Sequence, residues 1–404
     1  MIDGGAYDLS LVMIELGAVV VGLAILTRLA NRFAFSAIPL YLLAGLALGK
    51  GGLIPLTLSD DFVKIGSEIG VLLLLFMLGL EYTGEQLRAK LRSGLPAGVA
   101  DLVLNFPPGL IVGLLLGWNP LAAVLLGGVT YISSSGVAVG VLTDLGRMSN
   151  PETPVVVSIL VIEDLAMALF LPLIGVLLIG QGLASVAVSV AIALGAVGVV
   201  LFIAIRYGRA VSRLLAHRSE EATLFAVLGL VLLVGGLAQR LQVSAAIGAF
   251  LVGIAMSGPI VRQTRRQLGP LRDLFAALFF LFFGLQMDPA ALMPVLVPAV
   301  CLGGLSALTK MVSGWWAARR ASVGPIGRLR AGAVLVARGE FSVVIAGLGV
   351  AAGVQPGLGP LAAAFILISA LLGPILARVV EPLGAAVGIG PRGQGSRRAT
   401  RRRG

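Results

Sequence analysis

Histidine and cysteine are almost missing from this sequence of 404 residues, which holds only His217 and Cys301. A metalloenzyme or protease needing several such ligands is argued against, and so are a zinc site and a disulfide framework. Charge is scarce too. Asp, Glu, Lys and Arg make up 12% of the chain, against about 25% in a soluble domain. The connections between apolar stretches are short and leave no room for a soluble domain. The start of the chain lacks the basic region of a cleavable signal peptide, and its first apolar stretch has the length of a full span.

What is present is apolar: 58% of the residues are hydrophobic. Stretches of about 20 such residues, each able to cross a ~30 Å hydrocarbon core as a helix, recur from end to end. They predict an all-α polytopic membrane protein with about thirteen spans, at roughly 9–29, 35–49, 65–82, 95–117, 120–143, 153–179, 182–206, 221–240, 243–258, 271–287, 291–318, 331–353 and 358–380. Gly, Pro and Asn punctuate the connections, as at Trp118-Asn119-Pro120 and Gln355-Pro356-Gly357. The formal charge of +11 reflects topology rather than nucleic-acid binding. One set of alternate loops, with the tail, holds 25 of the 30 lysines and arginines; the opposite set holds only Lys50, Lys64 and Arg240. By the positive-inside rule the N-terminus is outside and the C-terminus cytoplasmic, with some attraction to anionic lipid. The expected location is the cell inner (plasma) membrane. Residues 384–404, rich in Gly and Arg, read as a disordered basic tail after a transmembrane domain of residues 1–383.

An internal repeat is legible. The segment from Ser36 to Gly45 resembles Ser244 to Gly253, and Leu78-Gly79-Leu80-Glu81 resembles Phe283-Gly284-Leu285-Gln286. The offsets are 208 and 205. Matched segments lie seven spans apart, an odd number, so the halves are expected to be inverted, an arrangement tied to alternating access and midplane sites.

Charges within the spans mark that site. Glu163 and Asp164 lie adjacent near the middle of span six, and Lys310 sits at a similar depth in span eleven. Such charges are expensive in lipid and mark ion or proton pathways. Adjacent helical positions point ~100° apart, so the two carboxylates have different tasks. Lys310 needs an anionic partner, and Glu163 or Asp164 is the natural one. Span five carries Thr130-Tyr131-Ile132-Ser133-Ser134-Ser135-Gly136, and span twelve carries Arg338-Gly339-Glu340. Polar and helix-weakening residues at membrane depth suit interrupted helices lining a cavity. With the 205 offset, Ser134 maps onto Gly339. Arg338 and Glu340, two apart, face different ways and pair elsewhere or compensate half-helix dipoles. Asp101 and Asn105, one turn apart in span four, are read as hydrogen-bonding support. Glu81 is read as a solvated helix end, and neither Glu15 nor Glu68 is read as a ligand.

At these residues the chain resembles the monovalent cation:proton antiporter-2 family, which includes the glutathione-gated potassium efflux systems. The most specific runs are Tyr131 to Gly136, Val161 to Met167 and Ala337 to Ser342. Leu74 to Glu81 and Gly248 to Gly253 support them. The resemblance implies a sodium/proton antiporter-like fold with two crossed, interrupted helices, and no enzyme activity. It implies a homodimer in which core helices (about 95–179 and 291–380) move against dimerisation helices (about 9–82 and 221–287), joined by a linker helix (about 182–206). Asp164 would bind proton and monovalent cation, K+ or Na+, in competition, near Thr130, Ser133 and Ser134. Glu163 would pair with Lys310, with Arg338 and Glu340 compensating charge. The chain lacks the C-terminal nucleotide-binding domain of larger efflux members, so regulation would come from a separate cytoplasmic subunit. No cofactor is implied. A sodium-coupled solute symporter of similar fold and a regulated cation channel are the rival expectations.

Overall fold

The computed structural model describes residues 9–32, 37–49, 52, 60–80, 84–179, 195, 210, 212–215, 219–240 and 245–386. The expected span at 182–206, His217, Glu81 and residues 387–404 lie outside them, apart from residue 195. Regular structure among the described residues is helical throughout. In chain order the longer helices are α1 (Leu9–Arg32), α2 (Ile38–Leu48), α3 (Asp60–Gly79), α4 (Gly84–Leu115), α5 (Pro120–Tyr131), α6 (Ser135–Asp144), α7 (Thr153–Ile179) and α8 (Glu220–Arg240). They continue with α9 (Ala245–Ala255), α10 (Pro259–Leu285), α11 (Leu296–Arg320), α12 (Pro325–Val334), α13 (Glu340–Ala351) and α14 (Leu358–Ala386). Among the described residues, seven segments are long and apolar enough to cross a membrane, one of them being α5 with α6.

Several helices outrun the apolar stretches that announced them. The span expected at 271–287 belongs to α10, which starts at Pro259 and carries Arg262, Arg265 and Arg266 within the helix. Gly258, with φ 79°, turns the chain, and Pro259 at the first helical position starts the new helix. Arginine is a good helix former, so the helix runs on where hydropathy stops. For the same reason α4 begins at Gly84 rather than near 95. The last helix reaches Ala386, so the first residues assigned to the tail are helical.

Packing at two glycine pairs follows the repeat. A Cβ on Gly45 of α2 would stand 2.8 Å from Gly284 Cα on α10, and one on Gly253 of α9 would stand 2.8 Å from Gly79 Cα on α3. Applying the repeat offsets to the first pair generates the second. Each half thus lends one glycine helix to the other half, and bare backbones touch where any side chain would force them apart. Beside these contacts α10 is buried from Ala276 to Gly284, including Phe279, Phe280, Phe282 and Phe283. A second set of helices surrounds the breaks in the chain: α4 packs on α5, α7 and α11; α11 on α12 and α14; and α13 on α5 and α14.

Candidate ion-binding site

Two helices stop in mid-course and restart. The first begins well capped, because Asn119 accepts from the Ala122 amide at 2.8 Å and Pro120 occupies the first turn. It ends at Tyr131, Ile132 turns extended, and α6 restarts at Ser135 with Ser134 as its cap. The second break runs from Leu335 to Gly339, between α12 and α13. The extended segments meet where the Ser134 amide donates to Ala337 O at 2.8 Å. At that crossing Gly339 leaves room for Ser134, since a Cβ there would stand 2.5 Å from Ser134 Oγ. These are the two positions the repeat offset equates.

Breaks leave carbonyls that no helix satisfies, and at membrane depth water does not replace those bonds. Arg338 supplies them. Its guanidinium donates to Thr130 O at 3.1 and 2.8 Å, to Leu335 O at 3.0 Å, to Val336 O at 2.9 Å and to Ser306 Oγ at 2.6 Å. One fully buried cation therefore closes the C-terminal ends of α5 and α12, where the helix dipoles favour positive charge. The repeat is visible here as well. Ser133 Oγ lies 2.9 Å from Leu335 O, and the offset of 205 converts that contact into Arg338 on Thr130 O. Thr130 holds its place by bonding through Oγ1 to Asn105 O or Gly127 O and by accepting from the Gly109 amide.

The charged centre is built across α4, α7 and α11. Lys310 Nζ lies 2.6 Å from Glu163 Oε1 and 2.6 Å from Asp101 Oδ2, and all three side chains are 0% exposed. Its ammonium also sits 5.5 Å from the Tyr131 ring centroid, within cation–π range. Glu163 Oε2 accepts from the Ser133 amide at 2.6 Å, and Ser133 Oγ stands 3.1 Å from Oε1. Asp101 Oδ1 accepts from Ser313 Oγ at 2.7 Å and Asn105 Nδ2 at 2.9 Å.

Asp164 points elsewhere. It is 4% exposed, and Ser135 Oγ donates to its Oδ2 at 3.3 Å. Glu340, half-buried at the start of α13, accepts from Ser134 Oγ at 3.1 Å. Glu163, Ser133 and Lys310 therefore form one cluster, Asp164 meets the first turn of α6, and Ser134 with Glu340 forms a third contact. Glu68 is exposed on α3, away from these groups.

Sequence reasoning under-read one residue and missed two more. Asp101, which the sequence suggests only as hydrogen-bonding support, shares the lysine as an equal partner. Ser306 and Ser313, which serve Arg338 and Asp101, were passed over. A signal was available, because Ser306, Lys310 and Ser313 fall at i, i+4 and i+7 and so share one face of an otherwise apolar helix.

A family model described as sodium/hydrogen exchanger, transmembrane, matches residues 17–380. The K(+)/H(+) antiporter subunit KhtU of Bacillus subtilis is 34% identical over 373 residues, covering 90% of this chain and 92% of that one. The ammonium/H(+) antiporter subunit AmhT of Alkalihalophilus pseudofirmus is 31% identical, over 83% and 85% of the two chains. The sodium proton antiporter MjNhaP1 of Methanocaldococcus jannaschii shares the fold, with a TM-score of 0.67 at 16% identity, covering 95% of this chain and 99% of that one. With a family model over most of its length and such a relative across nine-tenths of both chains, the chain belongs to the sodium/hydrogen exchanger transmembrane family.

Proposed function

We propose that the protein exchanges a monovalent cation, K+ or Na+, for protons by alternating access, with proton and cation competing for Asp164. The position of Asp164 carries this reading. It is buried beside the first turn of α6, next to the crossing of two broken helices. A carboxylate there crosses the membrane cheaply only when neutralised by a proton or a cation. Competition for one carboxylate makes the exchange obligatory without a second site. Serine and threonine hydroxyls around the crossing supply the oxygens that suit a partly dehydrated cation. The names of the antiporter relatives support the same reaction class. Their description as subunits supports a separate cytoplasmic partner, and a homodimer in the plasma membrane, with core helices moving against dimerisation helices, completes the reading.

Asp164→Asn tests it, because an amide neither releases a proton nor neutralises a cation. In proteoliposomes this variant is expected to lose cation-dependent proton movement while keeping its thermal stability. Substantial exchange by the variant would remove Asp164 from the role.

A further inference from the structure

The C-terminal end of α11 carries positive charge that no carboxylate answers. The sequence has neither aspartate nor glutamate between Asp288 and Glu340, yet Arg319, Arg320, Arg328 and Arg330 fall together where α11 turns into α12. Arg330 reaches inward to Glu381 and Glu152. Among the described residues the other three have no acidic partner. Two of them lie over tryptophans instead. The Arg320 guanidinium stands 5.3 Å from the Trp316 ring centroid, and that of Arg328 stands 5.6 Å from the Trp315 centroid. A guanidinium drawn to an indole face spends no N–H on a carboxylate, so its donors remain for an oxyanion. Arg328 is fixed in this place by Nε, which donates to Val323 O at 2.7 Å and leaves the terminal nitrogens available.

Depth says what that oxyanion belongs to. From Lys310 to Arg320 is ~15 Å at ~1.5 Å per residue, half of a ~30 Å hydrocarbon core. With Lys310 near mid-depth, Arg320 and the tryptophans fall at the membrane surface, the level that indoles and arginines favour. The chain turns at once, with Ser322 at φ 58°, and α12 brings Arg328 back beside Trp315. On the same helix Leu305, Leu308, Val312 and Trp316 are all exposed. Their spacing of three or four residues makes one apolar strip, and the same spacing continues it to Arg319 and Arg320. A strip that faces acyl chains therefore ends in unpaired arginines.

We propose that this end of α11 is a binding site for an anionic phospholipid, whose headgroup is held by Arg319, Arg320 and Arg328 and whose acyl chain lies along Leu308 and Val312. By the positive-inside rule the lipid comes from the cytoplasmic leaflet. A zwitterionic lipid offers the same phosphate with a cation attached, which unpaired arginines repel, so the site selects net negative charge. Lys310 lies on the buried face of this helix. A headgroup held at the end of α11 thus steadies the helix that bears the buried lysine.

The test uses the full chain with Trp118→Phe, which leaves Trp315 and Trp316 as the tryptophans. It is reconstituted in phosphatidylcholine vesicles containing lipid brominated in the upper acyl chain, phosphatidylglycerol in one series and phosphatidylcholine in the other. Brominated phosphatidylglycerol is expected to quench the tryptophan fluorescence with about fivefold higher apparent affinity, the attraction due to about one basic residue near a membrane surface. Arg320→Gln with Arg328→Gln should bring the two lipids to parity, and Arg320→Gln alone should lose part of the preference. Arg262→Gln with Arg265→Gln on α10 removes as much charge from another basic segment and should leave the preference intact. Inorganic phosphate, compared with chloride at equal ionic strength, should leave it intact as well.

Equal quenching by both lipids before any arginine is changed overturns the proposal and leaves the patch to a soluble acidic partner. A preference that survives loss of Arg320 and Arg328, or that falls with Arg262 and Arg265, overturns it as well, because the attraction then belongs to the whole basic surface. Loss of the preference in phosphate makes this a site for a free anion and overturns the lipid. If the double variant does not fold, Arg320→Gln and the α10 pair decide the matter in the same way.

Discussion

Lys310 holds two carboxylates in a site with no measurable exposure, and breaking such a cluster costs more than making it gains. Lys310→Ala is therefore expected to lower stability by about 3–5 kcal/mol, read as a drop in the thermal midpoint. Converting Glu163 to Gln in the same chain should recover part of that loss, and converting Asp101 to Asn should recover more. Strictly additive losses would mean the three side chains do not act together. Arg338 makes a second prediction. Arg338→Lys keeps the charge, but a single ammonium cannot span Thr130, Leu335, Val336 and Ser306 as the planar fork does. It should lower thermal stability by about 1–3 kcal/mol, as expected when buried acceptors go unserved; a neutral substitution would show that other donors close these helix ends.

At the scale of elements, the paired glycines make the repeat testable. Gly45→Ala and Gly253→Ala place a Cβ against the facing backbone at equivalent points and should each destabilise by about 1–3 kcal/mol, with similar magnitudes. Gly236→Ala in α8 meets open space, and alanine favours helix, so its thermal midpoint should hold or rise. Equal losses at all three positions would contradict the account of close approach. The repeat was legible in sequence because these close approaches admit glycine in both halves. The breaks at Ile132 and Leu335 were legible through serine runs and Arg338-Gly339-Glu340 at span depth. Helix ends were less so, since Arg262 to Arg266 extend α10 by propensity and capping, which hydropathy does not register.

For the molecule as a whole, the two halves are joined by ion pairs well away from the crossing. Arg147, between α6 and α7, donates to Glu381 of α14 at 2.9 Å and to Ala377 O at 2.7 Å, and burial lowers its guanidinium from the ordinary arginine value. Arg330 of α12 reaches the same Glu381 at 2.6 Å and Glu152 at 3.4 Å. None of these residues could be paired from sequence, because they lie on different helices at long separations and charge near a span end carries no address. The same limit explains Asp101. Its depth and its turn-mate Asn105 could be read, whereas its hold on Lys310 depends on how α4 meets α11. Residue type and depth were legible; partnership across helices required the fold.

The central claim is that one buried carboxylate serves proton and cation in turn. Apparent cation affinity measured in proteoliposomes at several pH values tests it most directly. Each ligand takes only the form of Asp164 that the other leaves free, so the two affinities are linked with opposite sign. The account predicts that the cation binds more tightly as pH rises, and that more cation shifts the activation midpoint to lower pH. A cation affinity unchanged or weakened by rising pH through the neutral range would contradict it.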